Sequence, residues 1–356
     1  MKNFAFVLAA ALLLAGCQKE EIEPRNAAVG SPGYNAAALL DQAANTVILG
    51  TYRAVDAQAA ALQTAVTALA AAPTPAALAA ARQAYRDARA PWEATEAFAF
   101  GPVSTQGLDA VIDTWPLNRV DLAALLVSAD PLTPASLRPR DGGLQGFHPI
   151  EFLLFGNNAN KALGDFTPRE YTFLRSSAQN LKAATAQLLQ AWQPGGGNFA
   201  ATLGKAGPGN ALYPKQKQAV QELLDGLIAP ADELANSKME RPLAQQTTDV
   251  EEAKFSQNSK AEFLQNLAGI EAIYTGRTGA ATSGTGFGDL VARRSPALDA
   301  RFRQELAAAQ QAIAALPGRF DEAIFQNPAA VRAAQTKVRT VLATLQTNVQ
   351  PLVDAL

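Results

Sequence analysis

The chain of 356 residues contains one histidine, His148, in the stretch GFHPIEFLLFG, three positions before Glu151. An imidazole and a carboxylate so close together suit two kinds of chemistry, holding a metal ion or moving a proton. A single histidine narrows both. A zinc protease built on His-Glu-x-x-His needs two histidines on one helical face, and a three-histidine zinc site needs one more, so neither can be assembled in this chain. A mixed site of one imidazole and several carboxylates survives, suited to iron, zinc or a harder divalent ion. A Ser–His or Ser–His–Asp arrangement survives as well.

Other residues could complete such a site. YRDARAPWEATEAFAFGP sets Trp92, Glu96 and Phe100 four apart, along one face of a helix, which leaves Glu96 among aromatics. VIDTWPLN places Asp113 between Ile112 and Trp115, again in apolar company. EEAKFSQNSKAEF carries Ser256 and Ser259, and Ser259 with Glu262 three residues on has the pattern of a capping box. Plainer readings stand beside these: a solvated helix surface for Glu96, a helix or turn cap for Asp113, a helix start for Ser259.

Backbone rules place the motif. Proline disfavours helical backbone at the residue before it, so His148 is expected at the N-cap, Pro149 at N1 and Glu151 at N3. There Glu151 would accept a backbone N–H, which explains it without any ligand. Phe147, Ile150, Phe152, Leu153, Leu154 and Phe155 leave this helix little face for solvent, so it is expected to be buried. Burying an imidazole and a carboxylate together is costly unless both are satisfied, and such pairs occur at functional sites and in structural ion pairs alike.

The elements that carry these residues read as helices throughout. Alanine and leucine recur at helical spacing, and prolines and glycines cluster between the periodic segments. Helices are expected over 35–71, 76–100 and 117–128, and then over 168–192, where Thr167, Pro168 and Glu170 form a complete start signal. QPGGGNF at 193–199 reads as a linker, followed by helical segments near 215–238, 259–274, 296–316 and 329–356. The pattern predicts an all-α protein of two tandem helical bundles, over 34–192 and 215–356, joined by a linker at 193–214. GTGFG at 284–288 lacks a preceding strand and reads as a loop, not a phosphate cradle.

The N-terminus reads as a leader. Lys2, the apolar run from Phe4 to Leu14 and Leu-Ala-Gly-Cys ending at Cys17 have the layout of a secretory signal, and the run is too short to span a bilayer. The small residues before the cysteine resemble a bacterial lipobox, which makes Cys17 the expected lipidation site and residues 18–33 a flexible tether to a membrane. Gln18 after that cysteine resembles outer-membrane sorting, and QKEE an acidic surface-export tag, so the domain is expected to face the periplasm or the exterior. Cys17 is the only cysteine, so the folded part has no disulfide and no thiolate ligand. With a formal net charge of −2 and no basic stripe, nucleic acid is not an expected partner.

Gly146-Phe147-His148-Pro149-Ile150-Glu151 resembles the Gly-x-His-x-x-Glu signature of imelysin-like proteins. These are bacterial envelope proteins also classed among peptidases and related to a domain of periplasmic iron-uptake proteins. WEATEAFAFGP, IDTWPLN, PREYTFLRSSAQNLKAATAQLLQAW, EEAKFSQNSKAEFLQNLAGIEAIYTG and PGRFDEAI follow in the family's order and cover most of the mature chain. The resemblance implies two helical-bundle domains with the histidine motif near their interface. It carries over Gly146, His148 and Glu151 as signature residues, and Glu96 and Ser256 as positions where the family keeps a glutamate and a serine. Asp113 is added by analogy with acidic residues of the iron-uptake relatives.

Three functions remain open. One is a lipid-anchored envelope protein that binds iron or another divalent metal, or an iron-containing ligand, through His148, Glu151, Glu96 and Asp113. Another is a peptidase using His148 and Glu151, with Ser256 as nucleophile. The last is a non-catalytic binding module in which the His–Glu pair only fixes the structure.

Overall fold

Apolar residues at helical spacing do build helices here. Val55, Ala59, Leu62, Val66 and Leu69 are all buried on one face of α1 (Leu49–Ala71), which continues a rod begun at Ala37–Gln42 through a π-helical turn. The computed structural model describes residues 34–278 and 284–356; the leader, Cys17 and the tether lie outside the described residues. Among the described residues every regular element is helical.

Helix α2 (Pro75–Ala94) starts where Thr74 Oγ1 accepts the Ala77 N–H at 3.1 Å, with Pro75 at N1. It is shorter than the expected 76–100. Pro91 withholds an N–H from the last turn, and the chain tightens into a 3₁₀ turn over Thr95–Phe98. Trp92, Glu96 and Phe100 therefore do not share a helical face. Then follow α3 (Leu108–Asp113), the motif helix α4 (Phe147–Phe155) and α5 (Pro168–Trp192). The capping box of α5 is as expected: Thr167 Oγ1 accepts the Glu170 N–H and Glu170 Oε2 accepts the Thr167 N–H, at 3.2 and 2.8 Å.

Within the stretch expected to be a linker, 193–214, residues 194–198 are an exposed loop, but the part from Phe199 on packs against the core. It carries α6 (Phe199–Gly204), whose Phe199 ring meets Trp192 edge-on at 4.9 Å, and Tyr213 is buried. Two aromatic side chains give this segment apolar surface that a tether lacks. Helices α7 (Gln216–Glu233), α8 (Ser259–Thr275), α9 (Pro296–Ala314) and α10 (Pro328–Thr344) complete the chain.

Helix α1 lies between α2 and α5; α8 packs on α2, α7 and α9; and α9 pairs with α10. From Tyr34 to Leu356 these helices form one compact unit around a continuous apolar core. Two glycines bring the later helices close to the end of α2. A Cβ on Gly226 of α7 would stand 2.4 Å from the Ala97 carbonyl oxygen, and one on Gly269 of α8 would stand 2.2 Å from that of Ala94. The backbones on either side of Glu93 and Glu96 are thus pressed against α7 and α8.

Candidate functional site

Gly146 sets the geometry of the motif. It is the N-cap of α4 with φ +73°, and a Cβ there would lie 2.0 Å from the Ile112 carbonyl oxygen. The close approach puts the start of α4 against the end of α3, and so His148 beside Asp113. The expected register is corrected by two residues: Phe147 is N1, His148 is N2 and Pro149 is N3, so Glu151 lies beyond the first turn. Proline is tolerated at N3 because the first N–H groups of a helix have no intrahelical acceptor anyway. Glu151 therefore caps nothing on its own helix. Its Oε1 accepts both the backbone N–H and the hydroxyl of Ser256, at 2.8 and 2.6 Å.

The imidazole is 1% exposed and lies between two carboxylates. Its Nε2 is 3.2 Å from Asp113 Oδ1 and its Nδ1 is 3.5 Å from Glu151 Oε2. Neither nitrogen, nor Glu151 Oε2, makes a well-aligned hydrogen bond. Burial alone would lower the imidazole pKa, but the polar contacts with Asp113 and Glu151, imperfectly aligned as they are, and the charge of Asp113 outweigh it and push it up to about 10. Asp113 is held well below the usual carboxylate range: burial opposes its charge, and the Arg89 guanidinium and His148 override that.

Arg89 is the largest charged group in the interior. It is fully buried on the apolar face of α2; its Nη1 reaches Asp113 Oδ1 at 2.5 Å, and its Nη2 reaches Glu262 at 2.9 Å and Glu252 at 3.2 Å and also bonds Glu93. A second internal cation, Lys238, donates to Glu93 at 3.0 Å and Glu96 at 2.6 Å and forms an ion pair with Glu252 at 3.0 Å. Asn266 joins Glu93 and Glu96 at 2.9 and 2.8 Å. Burial pushes Glu262 up to about 7 even with Arg89 in contact.

Of the residues singled out from the sequence, Gly146, His148, Glu151, Asp113 and Ser256 are brought together. Glu96 lies at the other side of the network, tied to Lys238 and Asn266 rather than to the imidazole. Ser259 does not cap α8, whose N-cap is Asn258; its hydroxyl donates to buried Glu251 at 2.7 Å, and Glu262 faces Arg89 instead of completing a capping box. Ser256 gives its hydroxyl to Glu151 and not to the imidazole, so the serine, glutamate and histidine stand in the wrong order for a histidine-activated nucleophile.

The sequence profile of the imelysin family matches residues 48–349. The chain belongs to the imelysin family. It is 32% identical over 312 residues to iron-regulated protein A of Synechococcus elongatus, a match covering 86% of this chain and 84% of that protein. The fold is shared with two solved structures. An iron-regulated protein A precursor from Parabacteroides distasonis superimposes with a TM-score of 0.81 at 21% identity, over 92% of this chain and 96% of that one. An imelysin-like protein from Psychrobacter arcticum gives 0.73 at 15% identity, over 92% and 98%.

The donor set of this family member fits a hard-to-borderline cation. Ligand atoms of Asp113, His148 and Glu252 all lie within 4.8 Å of one another, and those of Glu93, Glu252 and Glu262 make a second such group sharing Glu252. Sequence reasoning missed Arg89, Glu93, Lys238 and Glu252, and read Glu262 only as a cap. A signal for the first two was present: Tyr85, Ala88 and Trp92 mark the buried stripe of α2, and Arg89 and Glu93 fall on it. Lys238 and Glu252 stand in segments without such a stripe.

Proposed function

We propose that this imelysin-family chain is an iron-handling protein of the cell envelope, which takes up a metal cation, iron first, through Asp113, His148 and Glu252. The observation that carries this reading is the convergence of one imidazole and two carboxylates, within 4.8 Å of one another, in an interior that holds more acids than bases. Oxygen-rich ligation with a single imidazole suits ferrous or ferric iron. The name of the Synechococcus relative supports the iron assignment, and the lipobox at Cys17 supports an envelope location with a lipid anchor.

The chain's own residues divide the work. Glu151, held by two donors from Ser256, faces Nδ1 of the imidazole and fixes its orientation, as carboxylates behind ligating histidines do. Arg89 keeps Glu93 and Glu262 in place and competes for Asp113 and Glu252, so cation uptake would require it to release those two oxygens and the imidazole, protonated up to about pH 10, to lose its proton to solvent. A bound cation supplies the positive charge that this exchange withdraws.

Calorimetric titration of the purified chain with ferrous and ferric iron, zinc and magnesium tests the reading. Iron is expected to bind in the micromolar range or tighter, and His148→Ala to weaken it by at least about a hundredfold, the scale of losing a direct ligand. Iron affinity equal in wild type and His148→Ala, or no binding of any ion, overturns it.

A further inference from the structure

The outer side of the motif helix carries a second polar site. A cavity of about 220 Å³ opens between the start of the helix Arg119–Val127, the loop after α4 and the irregular segment that leads into α8. It has room for roughly seven waters at ~30 Å³ each, hence for a small solute only. Arg119, Asn157, Asn158, Thr248, Lys254 and Gln257 line it, together with Asp249 and Asp321.

Two cations are built into it on one aromatic pair. Phe152 of α4 and Phe255 meet edge to face at 5.0 Å between centroids; the Arg119 guanidinium lies 5.1 Å from the first ring and the Lys254 ammonium 5.3 Å from the second. The aromatic pair thus carries both of the cavity's cations on its rings. No carboxylate pairs with Arg119 among the described residues; Asp321 is engaged by Arg319 at 3.0 and 3.1 Å and by Gln257 at 3.5 Å, while Lys254 meets only the exposed Asp249, at 3.3 Å, a solvent-screened pair that an incoming carboxylate can displace. A guanidinium with an open fork favours a carboxylate, which it can grip with two parallel bonds. Asn157, Asn158 and Thr248 make no side-chain hydrogen bonds to other described side chains. Amides and a hydroxyl that both donate and accept suit alcohol groups.

We propose that this cavity is a binding site for a small hydroxylated carboxylate, with Arg119 and Lys254 on the acid group and Asn157, Asn158, Thr248 and Gln257 on the hydroxyls. It does not depend on the metal reading, since none of these side chains belongs to the His148 network.

The test is calorimetric titration of the metal-free chain with malate and tartrate, with acetate, glucose and inorganic phosphate as controls. Malate or tartrate is expected to bind at least about tenfold more tightly than acetate, glucose or phosphate, the margin that one charge-assisted and one neutral hydrogen bond supply. Arg119→Gln and Lys254→Met should each lose about tenfold or more, and Asn158→Ala a smaller factor, with circular dichroism unchanged because Arg119 and Asn158 are exposed and Met keeps the apolar stem of the half-buried Lys254. His148→Ala, which removes the proposed iron ligand, should leave malate affinity at the wild-type value, so that failure of one site is distinguishable from failure of the other. Binding weaker than about 10 mM, equal binding of phosphate or glucose, or affinity unchanged in both Arg119→Gln and Lys254→Met overturns the proposal.

Discussion

Arg89 shows how much one buried side chain can hold. It touches Glu93 on its own helix, Asp113 on α3, Glu252 in the segment before α8 and Glu262 on α8, and its charge is what makes their burial tolerable. Arg89→Met keeps the volume and removes the charge, leaving several carboxylates without their cation. The expected loss is about 3–5 kcal/mol in denaturant unfolding, partly recovered on acidification as those carboxylates take up protons. A loss that does not shrink at low pH would mean that packing, not charge, is the role of Arg89. The imidazole makes the complementary prediction on the alkaline side. Its pKa rises from 6.5 to about 10 on folding, so the folded chain keeps a proton that the unfolded chain has released. Stability from this group is complete below pH 6.5 and is lost as pH climbs through about 10, at up to ~1.4 kcal/mol per pH unit. Glu251, buried and pushed from 4.5 up to about 8, acts in the same direction over the lower window. Melting temperature should therefore fall with rising pH across neutrality. His148→Gln should flatten the part of the curve above pH 6.5, and Glu251→Gln the part below pH 8.

At the scale of elements, the site is a consequence of where helices touch. Helix α4 is buried almost all round, which is why Glu151 meets Ser256 rather than water. Helix α8 brings Glu262 and Asn266 to α2 only because Gly269 lets its backbone reach the Ala94 carbonyl. Gly269→Ala places a methyl 2.2 Å from that oxygen, so α8 must back away from α2. The expected cost is about 1–3 kcal/mol of stability. It should come with a weaker iron affinity, because Glu262 then loosens from Arg89 and Arg89 closes more tightly on Asp113. Ala261→Gly, at an exposed position of the same helix, serves as the control for helix propensity. An equal fall in iron affinity for the two variants would sever the link between the α2–α8 contact and the site.

For the whole molecule, the division into a first and a second bundle is a matter of sequence order rather than of separate cores. Phe199 and Tyr213 pack the segment between the bundles, one apolar core runs from Tyr34 to Leu356, and the charge network draws α2, α3, α4 and α8 together with Lys238. Calorimetric unfolding is expected to show a single transition with matching calorimetric and van't Hoff enthalpies, and two resolved transitions would contradict a shared core. Helices, their apolar faces and two of their caps are legible in residue order, because a helix is specified by neighbours three and four apart: Thr74-Pro75 and Thr167-Pro168-x-Glu170 act within one turn. The uniqueness of His148 likewise limits the site to one imidazole with oxygen ligands, because composition alone fixes how many nitrogen donors the chain can supply. What surrounds that imidazole is decided by tertiary packing alone. Glu96 and Glu252 are both acids near aromatics in the chain and both reach Lys238, yet only Glu252 also comes within 4.8 Å of the imidazole. Asp113 and His148 are 35 residues apart, and Arg89 and Glu262 are 173 apart. No local period encodes such pairs; they follow from glycines that let backbones touch and from the cost of leaving any buried charge without a partner.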